Sequence, residues 1–165
     1  MNALAKKNAK TPVAIALGGN LGDVEKAFRK ALELLAAGGL TDLVTAPVIV
    51  TRPVGCPPGT PDFRNSAATG FWGGTAEELL GLTQSIEVAL GRPADHGFHT
   101  SRTLDLDIIL FGELRLHTER LTLPHPEAQR RAFVLAPLAK IAPDMRFPDS
   151  GLTVREALRK LEEKR

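Results

Sequence analysis

Arg102-Thr103-Leu104-Asp105-Leu106-Asp107-Ile108-Ile109-Leu110 decides how the fold is read. Apart from its aspartates, the run from Leu104 onward is apolar and β-branched at its end, so it predicts a strand. Ile108, Ile109 and Leu110 predict a central position in a sheet. Side chains alternate faces along a strand, so Asp105 and Asp107 point the same way. Two neighbouring carboxylates repel each other and are costly to desolvate. Either they lie on a solvated polar face of an edge strand, or a divalent cation compensates them.

Outward from this strand the chain reads as alternating strands and helices. Val13–Leu17 predicts a buried strand, followed by the turn Gly18-Gly19-Asn20-Leu21-Gly22. Val24, Ala27, Phe28, Ala31, Leu32 and Leu35 recur at helical spacing until Gly38-Gly39 stops them. Leu43–Val50 predicts one β-branched strand, Arg52–Pro61 a Pro/Gly-rich loop, and Asn65–Trp72 another strand. Thr75 and Glu78 form a capping-box pattern opening a helix to Leu90, with Gly91 as its stop. Leu121–Leu123 predicts a short strand and Ala132–Ile141 a helix containing Pro137; Thr153 with Glu156 opens a terminal helix. Strands that come both in succession and separated by helices favour an α+β fold over a doubly wound parallel sheet.

Global properties set the remaining bounds. A chain of 165 residues suits one domain with a real core. Residues 1–11 read as a disordered basic tail and 12–165 as the domain. A net charge of +2 gives no argument for nucleic acid, and no apolar run approaches membrane-spanning length. The lone cysteine, Cys56, forbids an intrachain disulfide and suits a reducing cytoplasm.

Three clusters carry the chemistry. Arg92 and Arg102 flank the acidic strand, and carboxylates for Mg²⁺ beside guanidinium groups for phosphate are the equipment of phosphoryl transfer. Arg120-Leu121-Thr122-Leu123-Pro124-His125-Pro126 and Arg131 are either phosphate ligands or solvated surface charges around a packed histidine. Thr51-Arg52-Pro53-Val54-Gly55 with Pro61-Asp62-Phe63-Arg64-Asn65 offer an aromatic and an amide for a flat heterocycle, or a surface loop whose Phe63 plugs the core. Phe133 has the same two readings. The chain has no G-x-x-x-x-G-K-[ST] phosphate loop, no G-x-G-x-x-G turn and no zinc-ligand spacing.

These motifs, in this order, resemble the 6-hydroxymethyl-7,8-dihydropterin pyrophosphokinases of the folate pathway. The resemblance runs from Val13 to near the C-terminus. It rests on Ala16-Leu17-Gly18-Gly19-Asn20-Leu21-Gly22-Asp23, on the two loops around Pro53 and Phe63, on Arg102–Ile108, and on Leu123-Pro124-His125-Pro126 with Arg131–Leu138. It implies a ferredoxin-like fold: a mostly antiparallel sheet flanked by helices on both faces. It implies transfer of pyrophosphate from ATP to the hydroxymethyl group of a reduced pterin alcohol, releasing AMP. By the same resemblance two Mg²⁺ ions sit on Asp105 and Asp107, while Arg92 and Arg102 engage the ATP phosphates. Gln84, Glu87, Ile108, Arg120, Thr122, His125 and Arg131 line the nucleotide site. Phe63 and Phe133 stack on the pterin, and Asn65 with Thr51, Pro53 and Val54 reads its polar edge. The family is commonly monomeric.

The chain departs from the family's pattern at several positions. Gly19 stands where serine is usual and Pro126 where some members have tyrosine. His99-Thr100-Ser101 replaces a usual Trp-Gly-Pro, so Phe98 or His99 is the candidate substitute for the missing tryptophan. The same aspartates would also serve a metal-dependent phosphohydrolase or persist in an inactive nucleotide-binding module, but neither needs Phe63, Asn65 and Phe133.

Overall fold

The computed structural model describes residues 9–53, 55–91 and 103–164. Its frame is a sheet built from β1 (Thr11–Gly19), β2 (Thr41–Thr45), β3 (Ile49–Thr51), β4 (Phe63–Trp72) and β5 (Asp105–Phe111). The order is β2-β4-β1-β5, with β3 also pairing with β4, and the pairings are antiparallel. Helix α1 (Val24–Ala37) connects β1 to β2, and α2 (Ala76–Ala89) connects β4 to β5. Each connection skips the strand lying between its ends, which produces two interleaved split βαβ units. The fold is therefore α+β and ferredoxin-like, as the sequence implied. β1 starts at Thr11, one residue before the expected domain boundary.

Helices cover both faces. α1 and α2 bury Phe28, Leu35, Leu79 and Ile86 against Val13, Ile15, Leu106 and Ile108. On the other face lie α3 (Ala132–Ile141) and α4 (Val154–Glu163), whose Leu135, Leu138 and Val154 pack with Ala14, Ala67, Ile109 and Leu110. A small hairpin, β6 (Leu116–His117) with β7 (Thr122–Leu123), and a 3₁₀ turn at Ala128–Arg130 lead from β5 to α3.

Local chemistry explains the boundaries. Thr75 and Thr153 each cap a helix, and Glu78 and Glu156 return the bond to the threonine N–H. Those backbone bonds hold both carboxyls below their usual range. Gly39 adopts φ +117°, which ends α1. Pro137 sits inside α3, which continues through it.

Two expectations are corrected. Leu43–Val50 is two strands, because Pro47 has no N–H to donate to a ladder. β5 is an edge strand, not a central one. Its apolar composition reflects burial on both faces, with Leu106 and Ile108 in one core and Ile109 and Leu110 in the other. Ile109 is the extra residue of a bulge opposite Ala14/Ile15, which is why it and Leu110 enter the same core.

At Gly70 in β4 the backbone of β2 comes close: a Cβ there would lie 2.9 Å from both the Thr41 carbonyl oxygen and Leu40 Cγ. Gly70→Ala must push β2 away from β4, at about 1–3 kcal/mol. Gly81→Ala, in α2 with open space around it, should instead stabilise by about 0.5–1 kcal/mol. Thermal unfolding of the two variants should move in opposite directions; a shift of the same sign in both would refute this account of β2–β4 packing.

Candidate functional site

β5 brings its two aspartates to the wall of a cleft. Asp105 and Asp107 are half-buried and alternate with buried Leu106 and Ile108, so they share a face as their spacing predicted. The cleft has a volume of about 400 Å³. α2 contributes Leu80, Gln84 and Glu87, which at spacings of four and three share one helix face. β5 contributes Asp105, Leu106, Asp107 and Ile108. The β6–β7 hairpin and the loop after it contribute Thr118, Glu119, Arg120, Leu121, Thr122, His125 and Pro126. The structure thus gathers Gln84, Glu87, Asp105, Asp107, Ile108, Arg120, Thr122 and His125, all singled out from sequence, around one cavity. Leu80 was missed although it lies one turn before Gln84. Thr118 and Glu119 were missed too, and no motif marks them.

Several of these side chains are already engaged. Glu87 is buried, and its Oε2 accepts the backbone N–H of Leu106 at 2.7 Å. Arg120 Nη1 pairs with Glu77 Oε2 at 3.1 Å, which ties the hairpin to the first turn of α2. The backbone N–H of His125 bonds the Ile109 carbonyl at 3.0 Å. Its Nδ1 accepts the Glu127 N–H at 3.2 Å, which leaves Nε2 as the protonated ring nitrogen. Burial, and then the charge of Arg131, lower the His125 pKa below its ordinary 6.5, with Glu127 and Asp105 opposing them. His125 is therefore a neutral donor at pH 7.

The second group of residues lies beyond β1. In the strand register Gly18 is opposite Asn65 of β4 on one side and Asp105 of β5 on the other. Cross-strand partners share a face, so Asn65 and Asp105 stand on the same side of the sheet, roughly 10 Å apart, with only a glycine between them. Asn65 Nδ2 donates to Thr51 Oγ1 at 3.1 Å. Phe63 is half-buried two residues before Asn65, and Pro53 lies just past the end of β3. Phe133 is 39% exposed on the first turn of α3, with the Arg131 guanidinium 5.7 Å from its ring centroid. Arg131 does not line the cleft; its guanidinium lies against Phe133 and near enough to His125 to act on it. Val54, Arg92, Phe98, His99 and Arg102 lie outside the described residues.

Among the described residues no three His, Cys, Asp or Glu side chains form a ready-made metal cage. Two carboxylates on a cleft wall nevertheless fit Mg²⁺, which takes one or two carboxylates and completes its shell with water and substrate phosphate.

Several known proteins resemble this chain. A family model described as 7,8-dihydro-6-hydroxymethylpterin-pyrophosphokinase matches residues 14–143. A 2-amino-4-hydroxy-6-hydroxymethyldihydropteridine pyrophosphokinase of Pseudomonas aeruginosa is 42% identical over 138 residues, covering 83% of this chain and 84% of its own. The Bacillus subtilis protein of that name is 42% identical over 128 residues, covering 77% and 75%. Among solved structures, a Plasmodium falciparum HPPK-DHPS triple mutant with STZ-DHP superposes with a TM-score of 0.72 at 12% identity. That match covers 95% of this chain but 44% of the Plasmodium chain, and at such identity it speaks for the fold alone.

The lowered His125 pKa makes stability depend on pH. As pH falls below about 6.5, the unfolded chain takes up the proton before the folded one, so stability falls with pH. His125→Asn keeps an acceptor for the Glu127 N–H and removes the titration. The wild type should lose melting temperature relative to this variant between pH 7.5 and 5.5; a gap independent of pH would contradict the assignment.

Proposed function

The chain belongs to the 7,8-dihydro-6-hydroxymethylpterin-pyrophosphokinase family, and from that premise we propose how its residues divide the work. It is an ATP-dependent pyrophosphokinase of folate biosynthesis. The reading that follows is that the hydroxymethyl oxygen of 6-hydroxymethyl-7,8-dihydropterin attacks the β-phosphorus of ATP. The bond from β-phosphorus to the α-bridging oxygen breaks, AMP leaves, and the hydroxyl proton passes to solvent.

The observation that carries this reading is the row Asn65–Gly18–Asp105. It puts a hydrogen-bonding amide and the acidic strand on one face of the sheet, which supports a pterin at Asn65 with its hydroxymethyl arm directed toward the aspartates. Asn65, kept in place by Thr51, reads the polar edge of the ring, with Pro53 and Val54 beside it. Phe63 and Phe133 supply apolar faces for stacking. Asp105 and Asp107 would hold two Mg²⁺ ions together with the triphosphate. Magnesium bound there would supply charge neutralisation of the phosphates and a lowered pKa for the attacking hydroxyl, so that no protein base would be needed.

The rest of the cleft binds and orients ATP. Leu80, Leu121 and Ile108 give it apolar walls, with Gln84 and Thr122 as polar points. Neutral His125 donates from Nε2 to a phosphate oxygen without titrating at pH 7. Arg92, Arg102, Arg120 and Arg131 complement the triphosphate, and Arg120 exchanges Glu77 for phosphate when ATP arrives. Positioning and charge complementarity supply most of the rate.

An assay with ATP, Mg²⁺ and the reduced pterin alcohol tests the reading through pterin-dependent AMP. Asp105→Asn and Asp107→Asn should each fold and lower turnover by about a hundredfold or more. Near-wild-type turnover in either would refute the metal pair. Gly18→Ala places a methyl group 3.2 Å from Asn65 Oδ1 and should raise KM for the pterin far more than KM for ATP. Equal effects on both would separate Asn65 from the pterin.

A further inference from the structure

We propose that Glu87 is a positioning residue for the acidic strand, acting through the backbone of Leu106 and not as a ligand of nucleotide or metal. The proposal rests on the reading of Asp105 and Asp107 as the magnesium pair.

Among the described residues, β5 has β1 on one side and no strand on the other. An edge strand leaves every second N–H and C=O without a ladder partner. Two residues of the cleft supply partners here. The Leu106 N–H, which lies between the two aspartates, donates to Glu87 Oε2 at 2.7 Å. Three residues on, the Ile109 carbonyl accepts the backbone N–H of His125 at 3.0 Å. Together they stand where a further strand would run.

Glu87 is well suited to act as this anchor. It is 4% exposed, it sits in the last turn of α2, and neighbouring Ile86 fixes that turn in the core. A backbone N–H bonded at this length to a buried side-chain oxygen is shielded from competing water and makes a firm anchor. Consecutive strand residues swing in opposite directions, so a rotation of the Leu106 peptide turns both Asp105 and Asp107. This buried bond therefore steadies the stretch of backbone from which both carboxylates project. A pair that must share two cations is sensitive to such support, as metal ligands generally are to the partners that orient them.

Three variants test this, read by hydrogen exchange at the Leu106 amide and by the magnesium concentration that half-saturates turnover. Glu87→Ala should speed Leu106 exchange about tenfold or more relative to the Ile15 amide of β1, and raise the magnesium requirement about tenfold or more. Glu87→Gln keeps the length and an acceptor oxygen, so it should recover most of both losses. Glu87→Asp keeps the charge and loses the reach, so it should behave like alanine; the Gln/Asp comparison decides the matter if the alanine variant does not fold. Unchanged Leu106 exchange in Glu87→Asp and Glu87→Ala would overturn the proposal. So would a glutamine variant with a protected Leu106 amide and an alanine-like magnesium requirement, because the carboxylate would then be a ligand itself. Failure of the magnesium reading has a different signature. Wild-type magnesium dependence in Asp105→Asn and Asp107→Asn, with Leu106 exchange still faster in Glu87→Asp, would remove the catalytic half of the proposal.

Discussion

The architecture depends on one constraint: β1 must pair with β4 and β5 at once, and Gly18 is where both pairings bring polar side chains together. Asn65 and Asp105 are its cross-strand partners. A side chain at this position would press on Asn65, since a Cβ lies 3.2 Å from its Oδ1. Glycine therefore leaves that contact between the amide and the carboxylate positions unobstructed, on the face shared with α3 and α4. Toward the middle of the same strands, Ala14, Ala16 and Ala67 keep that face low enough for α3 to pack down, with Leu135 and Leu138 in the core beneath it. One face of the sheet thus carries a helix-covered stretch of small residues and, beyond it, the row of polar residues on which the proposed site rests.

That arrangement places the acidic strand at the edge of the sheet, where its backbone needs partners. Interior strands satisfy their polar groups from both sides, whereas β5 receives partners from β1 on one side and from α2 and the His125 loop on the other. The cleft is the space left where a further strand would lie. Glu87 and His125 line it while holding the edge, so scaffold and site share residues. Arg120 does something similar at the rim, where its pair with Glu77 joins the hairpin to α2. Being half-exposed, that pair contributes little stability and can be exchanged for a phosphate at small cost.

Much of this was legible in the sequence because it is local. Thr75/Glu78 and Thr153/Glu156 announced their helices through capping chemistry that depends on four residues alone. The Asp-x-Asp alternation gave the shared face. What failed was long-range. Ile108-Ile109-Leu110 looks like a central strand because two-faced burial and central placement leave the same apolar run; only the pairing order tells them apart. Pro47 could have divided Leu43–Val50, since a proline cannot serve a continuous ladder. Asp105, Asp107 and the Arg120–His125 cluster stood out as candidates from the residues themselves, whereas Gln84, Glu87 and Ile108 came from family resemblance; of the cleft's additional walls only Leu80 carried a helical-spacing signal. Thr118 and Glu119 reach the cleft because a hairpin folds back, which no pattern within the hairpin reveals.

His125 shows why such sharing is chemically useful. Its backbone N–H is committed to β5 and its Nδ1 to the Glu127 N–H, so the ring has a fixed place and a fixed tautomer. Burial and Arg131 keep it neutral. A neutral donor suits the proposed site, because a second positive charge beside the Arg131 guanidinium would compete with a bound magnesium for the same phosphate oxygens. A charged histidine would also be drawn to Asp105, whose carboxylate already favours the protonated ring, and would occupy a proposed metal ligand. The interactions that stiffen the edge of the sheet therefore also keep a charged imidazolium away from the acidic pair. Neutrality of the histidine and orientation of the aspartates follow from one arrangement of the backbone around β5.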